Sequence, residues 1–248
     1  MKTPKVFFPI IAYGGVVHAD FMMSMSSLFL AMAQKKILAS SIVLGFESLI
    51  SRGRNASAAY TLGGDYTHLM FVDTDVSFDP KDFFRLLDLN KDIAVGLYPK
   101  KYISDRKLKT LFKKYSDLPP IWRNLATDFS SELDLSKMKN ESIEVEYAAT
   151  GFMLIKRECF KRIIKERPDI KYQNDIDGYM SAGDNFYDFF QCRINPKTKK
   201  YESEDYGFCQ LWRSLGGKIH AIPDITLNHR GYINFSGNLK QQYESFYV

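Results

Sequence analysis

The stretch His68-Leu69-Met70-Phe71-Val72-Asp73-Thr74-Asp75 constrains the fold of this 248-residue chain more than any other. A short apolar run that ends in a turn signal, here Val76-Ser77-Phe78-Asp79-Pro80, reads as a buried strand of a parallel sheet. In open α/β sheets, ligands bind beyond the carboxyl ends of the strands, which is where Asp73 and Asp75 fall. Two carboxylates one residue apart repel each other unless a cation lies between them, and hard oxygen ligands suit Mg²⁺ or Mn²⁺. Such a site can hold an anionic diphosphate beside acidic residues. The bland alternative is that both acids cap the helix starting near Pro80, where Asp79 already offers a cap.

Around this strand the chain alternates. Val6 to Ile11 reads as a first strand ending in Ala12-Tyr13-Gly14-Gly15, and Asp20 can cap a helix through Lys36 with Phe21, Met25, Leu28 and Met32 facing inward. A short strand over Ser41 to Leu44 and a helix over Arg54 to Leu62 follow. After Asp75 come a helix over Lys81 to Leu89 and a strand over Ile93 to Tyr98. Strands alternating with helices imply a largely parallel sheet with right-handed crossovers. Strands at Ile143 to Ala148 and Phe152 to Lys156 continue the pattern, then a helix from Glu158 to before Pro168. Asp169 to Gln191 reads as a long loop with a short aromatic strand near Phe186 to Phe190, and long loops are often functional. Glu204 and Asp205 open a helix closed by Gly216-Gly217, and Ile219 to Ile222 is the last strand expected.

The stretch 100–142 breaks the rhythm. Lys100, Lys101, Arg106, Lys107, Lys109, Lys113 and Lys114 make it basic, and it shows few strand signals. A solvated helical face is the plain reading, and a lid or anion-binding insertion the sharper one. A net charge of +5 favours anionic ligands without establishing nucleic-acid binding, and none is expected. Cys159, Cys192 and Cys209 form no Cys-x-x-Cys pair, so neither a zinc site nor a disulfide framework is suggested. Each reads as a small buried apolar residue, which fits a reducing, cytoplasmic setting. No apolar run approaches the ~20 residues of a membrane-spanning helix.

In this order the features resemble the GT-A fold glycosyltransferases, family 2-like members above all. "RGRN" (Arg52 to Asn55) ahead of "GGDYTHLMFVDTDV" resembles the lead-in to that family's DxD strand, and "ATGFMLIKRECF" its acceptor-side glycine turn. "ESEDYGFCQLWRSLGGKIHAIPD" resembles its xED helix and "LNHRG" its late metal-binding histidine. The departures are Gly53, where alanine is common, and the lysine-rich insertion.

The resemblance implies one α/β GT-A domain over 1–248, with a central, mainly parallel mixed sheet flanked by helices. Residues 1–98 would be its nucleotide-sugar half, 100–142 a helical basic insertion, 143–231 its acceptor and catalytic half, and 232–248 a tail. It implies a sugar moved from a nucleotide donor, UDP foremost, to a glycan or other hydroxyl acceptor, with inversion. Mn²⁺ or Mg²⁺ would be held by Asp75 and His229, with Asp73 contacting the ribose or a metal-bound water. Arg54 would meet the diphosphate or base, Tyr13 would stack on the base, and Glu47 would accept from its ring N–H. Gly151 would allow close backbone approach, and Asp205, or its neighbour Glu204, would take the acceptor proton. A sugar-phosphate nucleotidyltransferase shares the sheet and paired acids, but normally has a basic glycine-rich loop where Tyr13-Gly14-Gly15 carries no cation. A non-catalytic protein binding nucleic acid or glycan through the insertion is the rival from another class.

Overall fold

A computed structural model describes residues 3–129, 131, 138 and 140–247. Alternating side chains on the central strands decide the layering, because successive residues of a strand face opposite sides of a sheet. Strand β1 (Lys5–Ala12) is followed by helix α1 (Ala19–Gln34), β2 (Leu38–Gly45), α2 (Ile50–Gly63) and β3 (His68–Val72). Phe7, Leu69 and Phe71 sink into one apolar cluster, while Val6, Phe8, Met70 and Val72 sink into another. Both faces are therefore covered, and each fully buried side chain contributes roughly 1.5–3 kcal/mol.

Next come β4 (Val76–Ser77), α3 (Pro80–Asp88), β5 (Ile93–Gly96), β6 (Pro99–Ile103), α4 (Asp105–Lys114), α5 (Trp122–Leu125), β7 (Thr127–Phe129), β8 (Ile143–Val145), β9 (Phe152–Lys156) and α6 (Arg157–Glu166). Two 3₁₀ turns lead to the small pair β10 (Arg193–Ile194) and β11 (Tyr201–Glu202). Then come α7 (Glu204–Ser214), β12 (Ile219–Ile222), β13 (Thr226–Arg230), β14 (Asn234–Asn238) and α8 (Leu239–Tyr247). Seven strands form the main sheet in the order β2-β1-β3-β9-β5-β12-β8. β9 runs antiparallel to β3 and β5, and β8 antiparallel to β12, so five of the seven share one direction. This is the α/β architecture with a mainly parallel mixed sheet that the sequence implies.

The two antiparallel insertions matter for the site. Because β9 runs backwards between β3 and β5, with Val72 opposite Phe152, its glycine turn lies at the carboxyl edge beside Asp73. A second, three-stranded sheet β14-β13-β4 pairs His229 with Val76, which carries the histidine to the residue after Asp75.

Several local expectations are corrected. His18, not Asp20, sits at the N-cap of α1, without a side-chain cap. β2 is longer than expected because it pairs with β1 along all eight residues. α2 starts at Ile50, four residues before Arg54, where the Glu47 carboxylate accepts from the Leu49 N–H and supports the first turn. The basic insertion contains the antiparallel pair β6 and β7. The aromatic run Phe186 to Phe190 makes a single bridge, Lys171 to Tyr187, and buries its rings instead of forming a strand. β12 is not the last strand, since β13, β14 and α8 follow it, the last two within the stretch 232–248 expected as a tail. Cys192 is exposed, while Cys159 and Cys209 are buried. Among the described residues no helix is long and apolar enough to cross a membrane.

Candidate active site at the carboxyl edge of the sheet

Asp79 caps α3, accepting from the Lys81 N–H at 2.9 Å, so Asp73 and Asp75 are not cap residues. Both line a cavity of about 230 Å³ at the end of β3, together with Arg54, Ile50, Phe71 and Thr74. The pair splits into two separate ionic units.

Asp73 Oδ1 accepts from the Arg54 guanidinium at 3.1 Å, and Arg54 Nε reaches Glu204 Oε1 at 3.2 Å. Arg54 is almost fully buried and lies 5.0 Å over the Phe71 ring. Burial works against its charge, but Asp73 and Glu204 outweigh that and raise its pKa. One cation thus ties α2, the end of β3 and the start of α7 together. Gly151 completes the seat: its carbonyl accepts from the Asp73 N–H at 3.1 Å. A Cβ there would fall 2.7 Å from Asp73 Oδ2 and 2.6 Å from the Tyr98 ring.

Asp75 faces the other way. Its Oδ2 accepts from the Lys101 ammonium, and its Oδ1 lies 3.5 Å from His229 Nε2. The other imidazole nitrogen, Nδ1, lies 2.9 Å from the Pro99 carbonyl. A carbonyl only accepts, so Nδ1 carries a proton, and Nε2 is the nitrogen that faces Asp75. Burial pushes the Asp75 carboxyl up, but His229 and Lys101 overcome it and bring the pKa down to about 2. Tyr98 fills the gap between the two units, with its hydroxyl 3.5 Å from Asp73 Oδ2 and its ring edge-on to His229 at 4.9 Å.

Glu204 and Asp205 begin α7 and part company at once. Glu204 turns to Arg54, whereas Asp205 Oδ1 accepts from the Ser203 hydroxyl and from the Tyr206 N–H at 2.8 Å. Burial first, then the charge of Glu204, raises the Asp205 pKa above the ordinary carboxylate value.

The remaining candidates lie at the ends of β1 and β2. Tyr13 is widely exposed, and so is Phe46, which follows β2 with a left-handed backbone (φ 60°). Glu47 is buried and takes four hydrogen bonds, from the Leu49 N–H, twice from Arg52 and from the Tyr179 hydroxyl. Gly53 lets α2 approach it, since a Cβ there would sit 3.3 Å from the Glu47 side chain. Sequence reasoning missed Tyr98, Lys101 and Phe46. Tyr98 and Phe46 each follow a strand of the central sheet at its carboxyl edge, which is the signal that could have found them.

No protein-family model and no curated protein matches the sequence. Among solved structures the chain is similar to GalNAc-T7 crystallised with UDP, GalNAc and Mn²⁺, at 10% identity and a TM-score of 0.49 over 91% of this chain and 43% of that one. It is also similar to 4-diphosphocytidyl-2C-methyl-D-erythritol synthase from Anaerococcus prevotii DSM 20548, at 7% identity and a TM-score of 0.35 over 71% and 83% of the two chains. The chain spans less than half the length of the GalNAc-T7 chain it matches. Neither likeness carries an argument about the reaction.

The donor set for a metal is small. Among the described residues no three histidine, cysteine or acidic side chains converge on one point. Asp75 Oδ1 and His229 Nε2 face each other, and Lys101 supplies positive charge at the same carboxylate. An oxygen and a nitrogen donor of this kind are compatible with a divalent cation.

Proposed function

We propose that this protein is a metal-dependent glycosyltransferase that moves a sugar from a nucleoside diphosphate donor to a hydroxyl acceptor. What supports the reading best is the double arrangement at the end of β3. Asp73 is locked through Arg54 to the first turn of α7, while Asp75 faces His229 Nε2. A donor bound there lies between the cation-seeking pair and the carboxylates of α7. The exposed rings of Tyr13 and Phe46 suit a flat base at the far end of the same edge, and the motif resemblance favours uridine.

In the reaction the acceptor oxygen bonds to the anomeric carbon, the carbon–oxygen bond to the diphosphate breaks, and the nucleoside diphosphate leaves. A divalent cation held by Asp75 and His229 would neutralise charge on the leaving diphosphate, worth several kcal/mol of barrier. Asp205 takes the hydroxyl proton. Its two hydrogen bonds both go to Oδ1, which leaves Oδ2 to take the proton. Its raised pKa makes it a stronger base than an exposed aspartate. Glu204 and Arg54 orient the helix start and Asp73. With one base assisting direct displacement, the anomeric centre inverts.

Thermal-shift screening of UDP-, GDP- and ADP-sugars with and without Mn²⁺ tests this. A binder at ~100 times its dissociation constant should stabilise the fold by about 2.7 kcal/mol. Stabilisation only with Mn²⁺, and most by a UDP-sugar, is expected. Stabilisation by none of them, with or without metal, would rule the reading out.

A further inference from the structure

A cavity of about 470 Å³ lies away from the paired aspartates. It opens on the opposite face of β6, between the basic insertion and α8. Successive residues of a strand point to opposite faces: Lys101 meets Asp75, while Lys100 lines this cavity. A volume of this size suits a small ligand.

The floor is built and rigid. Gln242 is buried, and its amide donates to the carbonyls of Leu125 at 2.9 Å and Thr127 at 2.8 Å while accepting from Lys107 at 2.9 Å. Lys107 also donates to the Thr127 carbonyl and pairs with Asp128 at 2.7 Å. Asp128 additionally accepts from Tyr102 at 2.8 Å. Lys107 and Asp128 therefore neutralise each other. Lys100 and Arg106 also line the cavity and are exposed; Arg106 adds to the positive charge felt by Asp128. The opposite wall is aromatic, with Tyr243 and Tyr247 stacked at 5.4 Å and Phe246 beside them. Lys114 holds this wall to α4 through the Ser245 carbonyl.

Two exposed cations in one cavity with aromatic rings suit a ligand with an oxyanion on a compact ring body. We infer that this cavity binds a negatively charged sugar unit, a uronate or a sugar phosphate, belonging to the acceptor. The inference rests on the glycosyltransferase reading, and β6 forms the shared wall between this cavity and the Asp75–His229 pair. Only one strand then separates the acceptor's charged unit from the donor's diphosphate.

Calorimetry of the whole chain with a hexuronate, a hexose 6-phosphate, the neutral hexose and inorganic phosphate tests it. Wild type should bind at least one of the two anionic sugars about tenfold more tightly than the neutral sugar, and more tightly than inorganic phosphate. Arg106→Gln should lose about tenfold for that sugar, the scale of one charge-assisted hydrogen bond. Tyr243→Leu should weaken it while leaving phosphate binding alone. UDP binding with Mn²⁺ should be untouched by both variants, so a failure of UDP binding in wild type counts against the glycosyltransferase reading alone. Anionic sugars that bind no better than the neutral one, or binding indifferent to Arg106→Gln, would overturn the site. Inorganic phosphate competing as well as the sugar phosphate would overturn its sugar specificity.

Discussion

Asp205 and Glu204 are chain neighbours in opposite surroundings, one bonded to Ser203 and Tyr206, the other ion-paired with buried Arg54. Asp205→Asn keeps shape but removes the base, so turnover should fall roughly 10²- to 10⁴-fold with donor affinity unchanged. Because its pKa is raised, activity should also fall at a higher pH on the acid side than for an ordinary aspartate base. Steady-state rates against pH, together with donor binding, check both. A variant with wild-type turnover would place the base elsewhere. Asp75 makes the opposite prediction, for stability. Its folded pKa is depressed to about 2 from 3.8, so its contribution is fully present above the unfolded value and lost as pH falls through the folded one. The contribution is roughly 2 kcal/mol at most. The stability gap between wild type and Asp75→Asn in urea melts should therefore shrink between about pH 4 and pH 2. A gap unchanged over that window would contradict the pairing.

At the scale of elements, Arg54 carries the most consequence, since it binds α2, β3 and α7 at one buried point. Arg54→Met leaves Asp73 and Glu204 as neighbouring carboxylates without their cation. A loss of 3–5 kcal/mol, typical for breaking a buried pair, is expected in urea unfolding, and a loss under 1 kcal/mol would show the network to be slack. Gly151→Ala should displace Asp73 and Tyr98 and cost about 1–3 kcal/mol. Donor binding should fall with it. Most strands and helices of the central sheet were legible because its apolar runs and turn residues are local signals. The Asp73 strand, α3 with its Asp79 cap and the start of α7 were read close to where they stand. What sequence could not show was non-local. β4 has only two residues and β13 (Thr226-Leu227-Asn228-His229-Arg230) no apolar run to announce it, yet their pairing is what brings His229 to Asp75. The edge pairing of β2, the aromatic run that became core and the late hairpin with α8 likewise depend on partners far along the chain. Lys101 read as one solvated lysine among many, because nothing local reveals that β6 turns it onto Asp75.

Over the whole molecule, the strands that share one direction gather Tyr13, Phe46, Asp73, Asp75 and Tyr98 along one edge, where β13 brings His229 and α7 brings Glu204. His229→Ala should weaken metal-dependent binding without unfolding the chain. That binding should decline at acid pH, because only neutral imidazole coordinates. The most direct test is titration calorimetry of UDP into the intact protein, once with Mn²⁺ and once with EDTA. The expected result is binding at least ~10-fold tighter with Mn²⁺, a difference of about 1.4 kcal/mol. Equal affinity in the two titrations would contradict a metal role for Asp75 and His229.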